Sequence, residues 1–544
     1  MIQMKRTHLF AFLLLTSPLA FVSCDGLLDV DSERVVLEDQ YDMKASNDSL
    51  YAMFGLLNSL QELADSYVLL GELRADLMDV TEFSDPYLNE INTLNVSAEN
   101  PYTDNLTAYY AIINNCNYIV HKVDTSVVKN TYKVNKRLMA AAKSIRAWVY
   151  MQLALNYGEA VYYDKPLLDM KEAEKDYPVY TLDELAPHLI ADLLPFRDER
   201  RLELGSVYSY DLYYAQFSVD MVLGDLYLWT GDYLNAAIAY QRMMDENNCF
   251  LRSTFASSLE ALNSAFTGRF TSTNWAEIFN PYGGEHITYI GASNEYKRVF
   301  KIDTLCYNYM VKCSDQAFNN WRNQHYFYSA VLDTMADLRM YGSVSDYAFG
   351  VSSLMDENSK HYVFKYIYMN SLDDSEVRMV GVYRLGLLYL RYAEAVNRLG
   401  KPNLAMAVLK YGLNNATLNN PTFVPASEVE RPVPAYMDFS DPKFNANIGV
   451  RARACGNPRF DTIQCVIPTL PTKEDSILAV EDILINELAL EMACEGNRFH
   501  DLMRFAIRRD DNHVLADRVA AKHPANKAAM QTKLMDRKNW YLTK

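Results

Sequence analysis

Between Met221 and Tyr240 the chain carries two apolar helical runs split by a single glycine, and this unit constrains the fold more than any other stretch. Leu223, Gly224 and Tyr227 fall on one helix, Gly231 on the turn, and Ala236 and Tyr240 on the returning helix. The spacing has a local physical meaning. Gly224 lets two helices approach closely, Gly231 closes the turn, and Ala236 stands where the backbones cross. A hairpin of this kind buries its apolar face only against further copies, so it predicts an array.

Set against the tetratricopeptide pattern, the unit is in register throughout. A second resembling unit runs from Tyr383 to Asn414: Leu385, Leu388, Tyr392, Ala395, Val396 and Leu399 form one face, and Gly400-Lys401-Pro402 turns the chain. Weaker versions span Leu138 to Tyr157, before Gly158, and Ile483 to Ile507, interrupted by Gly496. The expected fold is therefore all-α, a tetratricopeptide-like scaffold of about four helix pairs carrying long irregular, loop-rich insertions. Repeat helices are placed mainly in 46–260 and 380–544 of a single domain, 46–544. A tyrosine-rich stretch, 261–379, is expected to face the ligand. Residues 415–480 hold Pro421, Pro425, Pro432, Pro434, Pro442, Pro458, Pro468 and Pro471, too many for regular helix. Long irregular segments on a compact scaffold are usually functional.

The start of the chain reads as an export signal over 1–23. Lys5 and Arg6 precede the apolar run Leu9 to Leu15, which Thr16, Ser17 and Pro18 end before it reaches a spanning length. Leu19-Ala20-Phe21-Val22-Ser23-Cys24 resembles a bacterial lipobox, with Cys24 as the lipidated residue and 24–45 as a linker. The seven other cysteines have no zinc or redox spacing. Cys306 with Cys313 and Cys455 with Cys465 are placed so that each pair can bridge or stay reduced, and both readings remain open.

Lys and Arg total 52 against 69 Asp and Glu, a net charge of -17, which argues against nucleic acid or anionic lipid as partner. Phosphate-cradling loops, metalloprotease helices and nucleophile elbows are absent from the sequence, so no cofactor, metal or catalytic residue is expected. His500 reads as a packing hydrogen bond. A lipid-anchored glycan-degrading enzyme would need a pair of essential carboxylates that no motif demands. An adaptor binding protein alone would use the loops as its interface.

One ordered set of segments specifies more. It comprises Arg146 to Glu159, the Gly224/Gly231-Asp232-Tyr233 unit, Leu390 to Asn397, and Ile485-Asn486-Glu487 to Glu491 continuing through Glu495-Gly496-Asn497-Arg498-Phe499-His500-Asp501 to Arg504. Behind a lipoprotein signal, these resemble the RagB/SusD family over nearly the whole mature chain. The resemblance implies a cell-surface lipoprotein of the outer membrane that captures a nutrient, usually oligosaccharide and sometimes peptide. It would deliver that nutrient to a SusC-like TonB-dependent transporter, without catalysis. The last residues, Lys538 to Lys544, are shorter and more basic than the family's usual proline-rich tail. Arg146, Glu487, Glu491, Arg498, Asp501 and Arg504 read as scaffold, pairing across helices.

Ligand residues must then be sought among aromatics bordered by amides, since sugars present C–H faces and hydroxyl edges. Trp275 with Tyr282, and Trp321 with Asn320 and Arg322, fit that chemistry. Tyr87 and Tyr102 lie in a segment that resembles in position an early loop of the family's site. Replacing Trp275 or Trp321 by alanine is expected to weaken binding and leave the fold intact.

Overall fold

The computed structural model describes residues 46–103, 106–126, 133–207, 210–246, 249–252, 275–279, 284–293, 300–324, 326–328, 331–333, 337–346, 359–366, 377–455 and 465–543. Helices dominate. They are α1 (Ser46–Glu72), α2 (Pro86–Asn92), α3 (Leu106–Lys122), α4 (Val134–Tyr157), α5 (Leu182–Leu193), α6 (Val219–Thr230) and α7 (Tyr233–Asp245), then α8 (Asp315–Arg322), α9 (Leu385–Arg398), α10 (Pro402–Lys410), α11 (Lys473–Glu491), α12 (Arg498–Arg509) and α13 (His513–Ala521), with shorter turns between. Among the described residues no helix is long and apolar enough to cross a membrane.

The repeat hairpins form where the glycines place them. The Asp232 side chain caps α7 by accepting from the Asn235 amide, and Gly231 takes a left-handed φ of 80°. At Gly224 a methyl group would stand 2.4 Å from the Tyr240 ring, so only hydrogen lets α6 and α7 meet. Helix α9 turns into α10 through Gly400, with Pro402 opening the second helix. Helix α11 starts on a Thr472–Asp475 capping box. Consecutive helices pack pairwise from α3 through α7, α7 packs on α9 and α9 on α10, α8 packs on α11, and α12 returns to pack on α1. One apolar core runs from Met53 to Trp540. The basic tail is stitched into it: Trp540 is buried, and its carbonyl accepts from Arg74 at 3.1 Å.

The stretch expected to be loop-rich, 261–379, carries strands among its loops, and six strands of the fold bear on the site. These are β1 (Met78–Val80), β2 (His286–Ser293), β3 (Val311–Cys313), β4 (Val344–Ser345), β5 (Tyr362–Val363) and β6 (Val377–Arg384). Strands β2 and β6 pair antiparallel from Val377↔Ser293 to Arg384↔His286. The others form a four-stranded sheet in the order β1-β3-β5-β4, joining residues far apart in sequence. Strands of two or three residues leave no legible alternation, so sequence periodicity misses them.

Sheet and helices meet at a buried charge cluster. Glu491 of α11 accepts from Arg339 and Arg384, each at 2.7 Å, and from Arg453. Glu487, one helical turn earlier, takes Arg339 at 2.8 Å and Arg451 at 2.5 Å. Glu495 takes Arg384 at 2.6 Å and Lys365 at 2.5 Å. Burial alone would raise the Glu491 carboxyl, yet Arg453, Arg384 and Arg339 together bring it down to about 2. A carboxylate whose folded value lies below its ordinary 4.5 stabilises the fold above that pH and loses the contribution as pH falls towards 2. Glu491→Gln leaves three guanidiniums short of a partner. It is expected to lower stability by about 3–5 kcal/mol at pH 7, and to flatten the acid limb between pH 4.5 and 2. Urea midpoints measured from pH 2 to 7 on both proteins check this; parallel acid limbs would refute it.

Candidate functional site

The two tryptophans expected to stack on ligand are interior residues. Trp321 has 0% of its surface exposed and donates its indole N–H to the Leu490 carbonyl at 2.9 Å. Trp275, also 0% exposed, donates to Ser343 Oγ at 3.0 Å, with the Arg453 and Arg384 guanidiniums 5.0 and 5.5 Å from its ring. Neither ring offers solvent a face, which corrects the expectation for both. The misleading feature around Trp321 is the amide-rich run from Asn319 to Gln324. On α8 it separates into a buried face of Ala317, Phe318 and Trp321 and an outer face with exposed Asn319 and Arg322. Asn320 is half-buried, its carbonyl accepting from the Gln324 side chain at 3.1 Å. Tyr282 and Cys24 lie outside the described residues.

The six motif residues read as scaffold are buried and paired. Arg146 binds Asp192, Arg498 grips Asp76 at 2.7 Å, and Arg504 holds Glu394 at 2.7 Å and Asp501 at 2.8 Å, beside the Glu487 and Glu491 pairs above. His500 lies between Arg74 and Asn156 at 3.1 and 3.2 Å. Burial, then the neighbouring arginines, holds its imidazole far below the usual histidine range, so it is a neutral packing group.

The exposed aromatics gather elsewhere, around the early loop. Asp85 caps α2 by accepting from the Leu88 amide at 2.9 Å, and it also accepts from Tyr102 Oη at 2.6 Å. Burial and that bond raise the Tyr102 phenol above its ordinary range. Asn100 donates to the Tyr87 carbonyl and to Glu90, each at 2.9 Å, which latches the two ends of the loop together. The loop is tied across to residues 309–310: Thr81 Oγ1 donates to the Tyr309 carbonyl, and Ser84 Oγ to that of Met310 at 2.5 Å. Tyr309 itself is held at a left-handed φ of 56°, an unfavourable state for a non-glycine residue that the surrounding bonds must enforce.

These ties bring together rings that the sequence analysis did not select. Tyr309 and Tyr362 lie with centroids 4.5 Å apart. The Lys360 ammonium sits 5.0, 5.5 and 5.9 Å from the Tyr309, Phe83 and Tyr362 rings. Lys301 lies 5.4 Å from the Tyr102 ring. Phe83 is 54% exposed and Tyr87 37%, while Tyr102 and Tyr362 are partly exposed. Among the described residues neither Lys360 nor Lys301 has a carboxylate partner within ion-pair distance, so each ammonium rests on aromatic faces. The patch therefore offers apolar ring faces beside hydrogen-bond donors. Of the expected residues it includes Tyr87 and Tyr102, and it adds Phe83, Tyr309, Tyr362, Lys360 and Lys301.

A larger open groove of about 590 Å³ lies between α5 and α6, lined by Pro187, Ile190, Tyr227 and Arg508 among others. Its guanidinium is already used by the Trp229 carbonyl and by Asp183 at 3.2 Å. The aromatic patch, which sets exposed rings beside ammonium groups, is the candidate site for a ligand with C–H faces and hydroxyl edges.

Residues 351–542 match the model of the SusD family. A SusD superfamily protein from Bacteroides vulgatus ATCC 8482 superposes with a TM-score of 0.60 at 16% identity, over 92% of this chain and 95% of that one. The surface glycan-binding protein A of Bacteroides uniformis gives 0.58 at 16%, over 92% and 96%. A SusD-like carbohydrate binding protein from Bacteroides fragilis NCTC 9343 gives 0.54 at 14%, over 87% and 88%. No curated protein sequence matches the chain.

Trp321→Ala should therefore act as a core deletion, lowering stability by about 3–5 kcal/mol. Phe83→Ala, at an exposed ring, should leave the unfolding midpoint within about 0.5 kcal/mol of the parent. Denaturant titration of both variants checks this, and a parent-like midpoint for Trp321→Ala would return that ring to the surface.

Proposed function

We propose that this chain, whose residues 351–542 match the SusD family model and whose fold superposes on SusD superfamily structures, is a cell-surface binding lipoprotein that captures an oligosaccharide and passes it to a SusC-like TonB-dependent transporter. The observation that carries the reading is the cluster of Phe83, Tyr309, Tyr362 and Tyr102 around two ammonium groups. Carbohydrate rings stack their C–H faces on such rings and bond their hydroxyls to the bordering polar groups. Two of the structural neighbours are themselves described as glycan- or carbohydrate-binding. Phe83 and Tyr362 supply stacking faces, and Lys360 borders them.

The anchor in this reading is lipid on Cys24 after removal of residues 1–23, leaving the folded chain outside the outer membrane. The protein performs no bond-breaking step. It holds the nutrient against the transporter, whose own energy coupling drives import. The glycine-turned helices keep the loops at a fixed spacing while ligand is exchanged.

Calorimetric titration of residues 25–544 against oligosaccharides and mixed peptides tests the proposal, with chromatography of the same mixtures for products. One glycan class is expected to give saturable heat and no product. Phe83→Ala and Tyr362→Ala should each weaken that binding about tenfold, with unchanged melting for Phe83→Ala and a lower midpoint for Tyr362→Ala, whose ring also packs on Tyr309. Heat from peptides alone would keep the role and change the ligand. Unchanged affinity in both variants would move the site, and product formation would make the chain an enzyme.

A further inference from the structure

Three buried thiols, Cys306, Cys313 and Cys494, gather beneath the aromatic patch, and two of them touch. Cys313 Sγ lies 3.6 Å from Cys494 Sγ, although 181 residues separate them in sequence. Both backbones are fixed. Cys313 ends β3, in register with Met78, and its amide donates to the His361 carbonyl at 2.9 Å. Cys494 stands in the turn between α11 and α12 at a left-handed φ of 66°, its amide bonded to Glu72 at 2.9 Å. That strained turn aims a side chain other than hydrogen at β3, where glycine would relieve the strain.

We propose that Cys313 and Cys494 are a cross-linking site, joined as a disulfide in the exported chain. The proposal rests on the extracytoplasmic placement argued above. A disulfide needs its sulfurs about 2.05 Å apart, so the two atoms close a gap of about 1.5 Å, within reach of side-chain rotation on a fixed backbone. The chemistry requires an oxidant of the protein thiol–disulfide exchange class. One cysteine thiolate attacks the oxidant's disulfide to give a mixed disulfide and releases one oxidant thiolate. The second cysteine thiolate then displaces the other. Two thiol protons and two electrons leave this chain, the oxidant departs as a dithiol, and one S–S bond remains. In the folded chain the hydrogen bond to Cys313 and burial push the Cys494 thiol up, so little thiolate exists there. Exchange therefore belongs to folding, before β1 and the α11–α12 turn close over the pair. The bond would tether β3, which follows the site residues Tyr309 and Met310, to the turn seated on Glu72. It also replaces the Cys306–Cys313 pairing that sequence spacing allows, because the sulfur in contact with Cys313 is that of Cys494.

Trypsin separates the candidates, since Cys306, Cys313 and Cys494 fall on peptides 302–312, 313–322 and 474–498. The full chain is exported with its own leader in a Gram-negative host, alkylated in denaturant and mapped by mass spectrometry without reduction. Residues 25–544 made in the cytosol and refolded with oxidised glutathione are mapped in parallel. Linkage of 313–322 to 474–498 in both samples is expected, with a mass two hydrogens below the sum of the free peptides. Linkage in the refolded sample alone shows that the pair can close but overturns the proposal that it is joined in the exported chain. Linkage in the exported sample alone supports the pair and places its formation during export. Alkylation of both cysteines in both samples, or linkage of 302–312 to 313–322, overturns the proposal. Cys494→Ala, which should abolish the linkage and leave 313–322 fully alkylated, confirms the assignment.

Discussion

A single carboxylate, Glu491, holds three guanidiniums contributed by three different parts of the chain. Arg384 ends strand β6, Arg339 precedes β4, and Arg453 comes from the proline-rich stretch. The pairs are dry, so each charge depends on its partners, and the cluster forms completely or is costly. This condition fixes how the strand-bearing middle sits on the helical array. A one-residue slip would break both the buried apolar register and the charge pairs. Trp275, lying against Arg384 and Arg453, covers the cluster, which explains why so large an aromatic is spent on the interior.

The helical array was legible because its determinants are local. Gly224, Gly231, Ala236 and Tyr240 lie within one hairpin, where Gly224 meets the Tyr240 ring and Gly231 takes the left-handed turn. The scaffold pairs were legible in type, since arginine and glutamate on apolar helices must find one another, although which met which was not. Trp321 was misread by composition. Counted at helical spacing, Phe318 and Trp321 fall on one face and the amides on another, so a signal was present. The aromatic patch had no such signal. Phe83, Tyr309 and Tyr362 converge only through the β1-β3-β5 pairing, which connects short strands more than 200 residues apart at its outer members.

Position in the fold also explains how an irregular loop is made definite. The loop from Thr81 to Thr103 anchors itself by burying Leu88 and Ile91 of α2 in the core. It is held by Asp85, Glu90 and Asn100 inside the loop and by Thr81 and Ser84 across to residues 309–310. Hydrogen bonds at a part-exposed surface are individually weak, so these set the loop's shape while the two buried side chains hold it to the core. The left-handed backbone at Tyr309 is the counterpart of that arrangement. Its cost is borne by the surrounding bonds, and it turns the Tyr309 ring onto Tyr362.

That stacking decides which faces remain for a ligand. Tyr309 is buried, with Tyr362 and Lys360 against it, so it supports the patch and does not receive a sugar. Phe83 is the most open ring, and Lys360 approaches it at 5.5 Å on one side only. In the proposed role, a carbohydrate ring arriving at Phe83 has two routes. It can take the face away from Lys360, or displace the ammonium and accept a hydrogen bond from it at a hydroxyl. The second route exchanges a cation–π contact of about 0.5–1 kcal/mol for a charge-assisted hydrogen bond of about 1.5–3 kcal/mol. The lysine thus favours polar ligands over plain apolar ones at a patch that its rings alone would leave indiscriminate.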